Sequence, residues 1–148
     1  MYLLDTNVVS ELRKAGTGRA DPTVVRWAAS VDPAVLHLSV VSVMEIEIGI
    51  LRAARRDGAQ SDVLRRWLEG QVFAAFAGRI LSVDVPVAMR CAHMLVPDPK
   101  ADRDALIAAT AHVHGLIVVT RNTADFRAMG APLLDPWSTY IFGQGPAR

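Results

Sequence analysis

Short apolar blocks of strand length, separated by much longer helix-length intervals, constrain this chain more than any other feature. Tyr2–Leu4, Val35–Leu38, Ile80–Val83, Leu116–Val119 and Leu133–Leu134 each read as a buried strand, because short apolar runs suit a sheet covered on both faces. Antiparallel neighbours need only a hairpin, whereas parallel ones need a crossover of about a dozen residues or more. All four intervals here are long enough for that. The order strand, helices, strand, helices, strand, helices, strand, helix, strand therefore predicts an α/β fold: a mostly parallel central sheet, right-handed crossovers and helices on both faces.

Local signals place the helices. Asn7 is a candidate cap for a helix to about Lys14, and Ala15–Ala20 reads as a loop. Asp21-Pro22 sets a cap before a first-turn proline and starts a helix to about Ser30. Ser42 is expected to open a helix ending near Asp57, with Gly58 as its stop, and Ser61 to cap another ending near Gly78. Pro86 marks a further start. Val96-Pro97-Asp98-Pro99-Lys100 is the clearest break, since each proline moves its predecessor out of helical conformation. An alanine-rich helix from Asp104 to His114 follows, stopped by Gly115; its small side chains predict a central position. A short helix spans about Ala124–Met129.

At 148 residues the chain is expected to form a single domain, residues 1–148, with a core that needs no disulfide or structural metal. Apolar content of 51% and mean hydropathy of +0.25 exclude intrinsic disorder. The apolar surplus leaves material for a subunit interface, and a homodimer is expected. With 16 Lys+Arg against 15 Asp+Glu, any polyanion must be held by a local basic patch. Cys91 is the only cysteine and reads as a small buried hydrophobe. The start Met1-Tyr2-Leu3-Leu4-Asp5 has no basic or apolar leader, and no long uncharged apolar run occurs. The expectation is a cytoplasmic protein without a membrane span.

Chemistry in such sheets collects beyond the carboxyl ends of the strands. Asp5 follows the first strand, Glu45 lies in the first turn after the second, Asp104 opens the alanine-rich helix, and Asp125 follows the fourth. These four acids are candidates for one rim. Gathered there, they repel one another unless a cation neutralises them, and oxygen-only ligands select a hard divalent ion, Mg²⁺ or Mn²⁺. Each acid also has a purely structural reading. Ser42-x-x-Glu45 matches a capping box, Asp104 suits a first helical turn, and Asp125 can flank a surface helix. Asp5 has the least structural reason for its position. Asp102 is expected to precede the helix and stay solvated, and Glu47 to point away from the face of Glu45. Thr6, Asn7 and Thr120 suit either ligand orientation or ordinary capping and strand-end hydrogen bonds.

Leu3-Leu4-Asp5-Thr6-Asn7, Ser42-Val43-Met44-Glu45, Asp104-Ala105-Leu106-Ile107-Ala108-Ala109-Thr110-Ala111 and Val118-Val119-Thr120-Arg121-Asn122 with Asp125-Phe126 together resemble a PIN-domain ribonuclease of the VapC toxin type. Phe76-Ala77-Gly78-Arg79-Ile80-Leu81 and Pro136-Trp137 with Tyr140 resemble its FitB-like branch. The resemblance implies a PIN-like fold and an Mg²⁺-dependent endoribonuclease, with Mn²⁺ able to substitute. It assigns the acids to Asp5, Glu45, Asp104 and Asp125, with Asp5 and Asp104 on the metal. Some relatives carry Asp where Asn122 stands, so Asn122 competes with Asp125 for the fourth position. A metal-activated water would leave 5′-phosphate and 3′-hydroxyl ends. The resemblance further implies a small VapB-like antitoxin, held in an apolar groove between N-terminal helices.

RNA approaching this acidic rim needs flanking cations. Arg103 and Arg121 are the leading candidates by proximity to it. Arg13, Lys14, Arg52, Arg55, Arg56, Lys100 and Arg127 read equally as solvated helix faces. His37, His93, His112 and His114 lack zinc-ligand spacing, and Trp27, Trp67 and Trp137 suit the core or a dimer interface. Two other functions fit parts of the pattern. An aspartyl phosphatase or phosphoryl carrier would use Asp5 as nucleophile, although Asn7 stands where that pattern wants a second Asp. A non-catalytic nucleic-acid or partner-binding module would carry Asn122 as the mark of a decayed site.

Overall fold

The computed structural model describes residues 1–138, so Tyr140 lies outside the described residues. Five strands form one parallel sheet: β1 (Tyr2–Leu4), β2 (Leu36–Ser39), β3 (Ile80–Leu81), β4 (Ile117–Val119) and β5 (Leu133–Leu134), in the spatial order β3-β2-β1-β4-β5. Tyr2 pairs with both Leu36 and Ile117, which fixes β1 at the centre. The chain runs from β1 out to β2 and β3, then returns past β1 to reach β4 and β5 on the other side. That reversal opens a crevice beyond the carboxyl ends of β1 and β4, where ligands bind in sheets of this kind.

Alternation along the strands divides the core in two. Leu3 and Val118 face one cluster with Val87, Cys91, Ala105 and Phe126, while Leu4 and Val119 face the other with Val24, Trp27, Ile46 and Ile50. The first cluster is closed by α6 (Val85–Leu95), α7 (Asp102–His114) and α8 (Thr123–Ala128). The second is closed by α1 (Thr6–Arg13), α2 (Pro22–Ser30), α3 (Val40–Ala54) and α4 (Gly58–Trp67). A π-helical turn, Leu68–Val72, carries α4 into the short α5 (Phe73–Ala75). Helices thus cover both faces, as the alternation predicts.

The alanine-rich helix is central. Ala105, Ile107, Ala108, Ala109 and Ala111 of α7 have no exposed surface, because side chains this small let neighbours approach from several sides. Gly115 ends the helix at φ +65°, a left-handed conformation that costs other residues about 1–2 kcal/mol. Among the described residues no helix is long and apolar enough to cross a membrane.

Several boundaries differ from the sequence expectation. Asp5, not Asn7, caps α1, its carboxylate accepting from the Thr6 amide. Ser39, not Ser42, caps α3 by accepting from the Val41 amide, so Ser42 is a buried interior residue. Gly58 begins α4 rather than ending α3, because the Asp57 side chain accepts from the Ala59 and Gln60 amides; Ser61, expected as a cap, lies inside that helix. The third strand is only Ile80–Leu81. Asp102 is the first residue of α7 rather than a flanking one, although it remains exposed.

Candidate active site

Backbone pairing builds the base of the site. The Asp5 amide donates to the Val119 carbonyl at 2.9 Å and the Thr120 amide to the Leu134 carbonyl at 3.0 Å, so both residues continue the sheet just past its strands. Asp5 is only 6% exposed. One carboxylate oxygen accepts from the Thr6 amide at 2.8 Å and the other from the Thr120 hydroxyl at 2.8 Å. Its rotation is therefore fixed at both ends. The Thr120 oxygen also accepts from the Asn122 amide at 2.9 Å and stands 3.4 Å from the Asn7 side-chain nitrogen.

Glu45 joins from α3. Thr6 Oγ1 lies 3.0 Å from Glu45 Oε1 and 3.0 Å from Ser42 Oγ. An ionised carboxylate can only accept, so Thr6 donates its single proton to Glu45 and Ser42 donates to Thr6. This contact replaces the capping box: Glu45 reaches across to α1 instead of back to its own helix. Glu45 Oε2 stands 3.9 Å from Arg103 Nη1, which ties α3 to the first turn of α7. Glu47 turns away and pairs with Arg65 of α4 through both guanidinium nitrogens.

Asp104 projects from the first turn of the buried helix. Burial pushes its carboxyl above the ordinary value, and the negative charges of Glu45 and Asp125 push it the same way. Burial dominates at Asp5 too, raising it from 3.8 to about 6; the Thr120 and Thr6 hydrogen bonds oppose this, while Asp104 and Glu45 add repulsion. Asp5, Glu45 and Asp104 thus share one electrostatic neighbourhood, and Asp125 adjoins it through Asp104. Clustered acids with raised carboxyls in a crevice are a hallmark of functional sites. Asp125 is exposed, and its Oδ2 accepts from Asn122 Nδ2 at 2.8 Å. Asn122 and Asp125 therefore act as a pair.

The donor set fits a hard divalent cation in its chemistry. All three inner acids offer oxygen, their mutual repulsion favours a positive charge, and Asn7 Oδ1 is a buried acceptor with no hydrogen-bond partner among the described residues. Among the described residues no group of three acidic, histidine or cysteine side chains converges in metal-ligand geometry. Mg²⁺ does not require one, since it is usually held by one or two carboxylates and keeps several waters.

The cations divide by position. Arg103 faces Glu45, whereas Arg121 stacks over Trp137 with its guanidinium carbon 5.3 Å from the ring centroid. Sequence reasoning missed the Ser42 link, because a Ser three residues before Glu signals capping, and it missed the stacking role of Trp137. It also missed a pocket of about 330 Å³ beside Asp104 and Asp125, bounded by Pro99, Lys100, Ala128 and Met129. These residues come from separate segments, and no local motif marks them.

Comparison with known proteins agrees with this architecture. The PIN domain profile matches residues 2–132. A VapC ribonuclease, Y4jK of Sinorhizobium fredii (strain NBRC 101917 / NGR234), is 37% identical over 142 residues, covering 93% of this chain and 98% of its own. Toxin FitB of Neisseria gonorrhoeae (strain ATCC 700825 / FA 1090) is 38% identical over 143 residues, covering 93% and 99%. The crystal structure of FitAcB from Neisseria gonorrhoeae superposes with a TM-score of 0.82 at 37% identity, again covering 93% of this chain and 99% of that one. With near-complete coverage in both directions and the acids gathered at the sheet's switch point, the chain belongs to the PIN-domain family, among its VapC and FitB-type toxins.

Proposed function

We propose that this chain is a metal-dependent endoribonuclease toxin that cuts RNA phosphodiester bonds to leave 5′-phosphate and 3′-hydroxyl ends. The carrying observation is the buried Asp5, locked by Thr6 and Thr120 and grouped electrostatically with Glu45 and Asp104. Asp5 and Asp104 would hold Mg²⁺, with Mn²⁺ able to replace it. When bound, the ion supplies charge neutralisation at the phosphodiester and a water of lowered pKa. Thr120 and the Thr6 amide orient Asp5, the Thr6 hydroxyl orients Glu45, and Asn7 offers its side-chain carbonyl, unpartnered among the described residues, to a water or ligand atom. Arg103 receives an RNA phosphate after leaving Glu45. Arg121, held by Trp137, receives a second with little ordering cost. Residues 1–148 would form one PIN domain.

Toxin relatives support a cognate small antitoxin of the VapB type. A groove of about 430 Å³ between the end of α1 and α4, lined by Leu12, Arg13, Val63 and Trp67, offers it an apolar floor. Exposed Val40, Met44 and Leu51 on α3, with Val85 and Met89 on α6, support a homodimer. A cytoplasmic location follows from RNA as substrate.

The test is incubation of purified protein with a mixed RNA pool in Mg²⁺, in Mn²⁺ and in chelator, alongside Asp5→Asn and Asp104→Asn. Cleavage with either ion, none in chelator and none in either folded variant is the expected result. Undiminished cleavage by Asp5→Asn would overturn the proposal. A binding-only protein would leave the RNA intact and gain no melting temperature from metal.

A further inference from the structure

The pocket beside Asp104 and Asp125 has two chemically different sides. Its polar side is made by those carboxylates, whereas Pro99, Ala101, Ala128 and Met129 give the rest an apolar character. Lys100 stands among them, half-buried and without an ion-pair partner among the described residues. At about 330 Å³ the pocket falls at the small end of the roughly 300–1,000 Å³ typical of ligand sites. One nucleotide matches this size and this division. A planar base lies against apolar side chains, its edge meets acceptors, and its phosphate meets a cation. Single-stranded RNA is commonly read by splaying a base into such a site.

Asp125 determines which edge fits. Its Oδ2 is anchored by Asn122 at 2.8 Å, and among the described residues Oδ1 has no donor. The anchor fixes the carboxylate and leaves a free acceptor, which a base with an exocyclic amino group satisfies. Uracil has no amino group, and its single edge N–H is flanked by two carbonyl oxygens whose partial negative charge opposes the carboxylate, so it is held less well. We propose that this pocket is a base-selective subsite for an unpaired nucleotide next to the cleaved bond, with Asp125 as its specificity-determining residue favouring adenine, cytosine or guanine over uracil. The inference rests on the nuclease reading for its placement, and its binding measurement is independent of cleavage.

Fluorescence anisotropy in chelator, with labelled all-uridine oligonucleotides and the same oligonucleotides carrying one A, C or G, tests it directly. The amino-bearing strands are expected to bind about tenfold more tightly, the scale of one well-read base edge. Ala128→Phe fills the pocket from an exposed position at the end of α8. It should erase that difference while retaining all-uridine binding and the wild-type circular dichroism spectrum. Asp125→Asn turns one acceptor into a donor and should narrow the gap by improving uridine binding. Equal wild-type affinity for all strands, or a preference that survives Ala128→Phe, overturns the proposal. Mapping cut sites in Mn²⁺ separates it from the nuclease reading. Cleavage without base bias defeats the pocket alone, whereas base-selective binding without cleavage defeats the nuclease and leaves the pocket standing.

Discussion

Replacing Asp5 by Asn should stabilise the metal-free protein while destroying its response to metal. In the folded state burial raises the carboxyl from 3.8 to about 6, equivalent to about 3 kcal/mol at roughly 1.4 kcal/mol per pH unit. A raised folded value means that the native state binds the proton more tightly than the unfolded one. The associated stability is fully present below about pH 4, is lost as pH rises through about 6, and is absent at pH 7.5. Asn never ionises and so escapes this loss. It also remains a good helix cap toward the Thr6 amide. Weaker bonding to Thr120 returns about 1 kcal/mol of the gain. The net expectation in chelator at pH 7.5 is about 1–2 kcal/mol, or roughly 2–8 °C in melting temperature for a chain of this size. Near pH 4 the difference should close, and Mn²⁺ should raise the wild-type Tm but not that of Asp5→Asn. Thermal melts across pH, with and without metal, decide it. A variant that melts at or below wild type in chelator at pH 7.5 would refute the burial argument.

Thr120→Val keeps the shape of a fully buried residue but removes the donor to Asp5 and the acceptor for the Asn122 amide. It should cost about 2–3 kcal/mol by urea unfolding and push the Asp5 carboxyl still higher. Arg103→Ala breaks a half-exposed ion pair, so stability should change by less than about 1 kcal/mol; RNA affinity should fall and the salt slope of binding decrease by about 1. Gly115→Ala meets open space at the added Cβ yet keeps φ at +65°, so chemical denaturation should show a purely conformational loss of about 1–2 kcal/mol.

Much of the architecture was legible because strand burial and helix length are written into local pattern. Leu3, Leu4, Val118 and Val119 are apolar on consecutive positions, as strands covered on both faces must be. Helix boundaries were less legible where several capping residues stand close together. Ser39 and Ser42 are both competent caps, as are Asp57 and Ser61; the sheet chose the first by ending β2 at Ser39, and the reach of the Asp57 carboxylate to two amides chose the second. The acids Asp5, Glu45 and Asp104 were visible as strand-end or helix-start carboxylates. Their partners were not, since Thr6 bonds to Glu45 across 39 positions and Thr120 to Asp5 across 115.

Apolar periodicity thus determined the parallel sheet and its two covers, because burial acts on each segment separately, and positions at strand ends and helix starts marked Asp5, Glu45, Asp104 and Asp125 as candidates for one edge. Tertiary structure decided the strand order that opens the crevice between β1 and β4, the shared field around Asp5, and the pocket joining residues 99–104 to α8. Those features arise from distances between segments remote in the chain, and Coulomb repulsion, desolvation and shape are functions of distance in space.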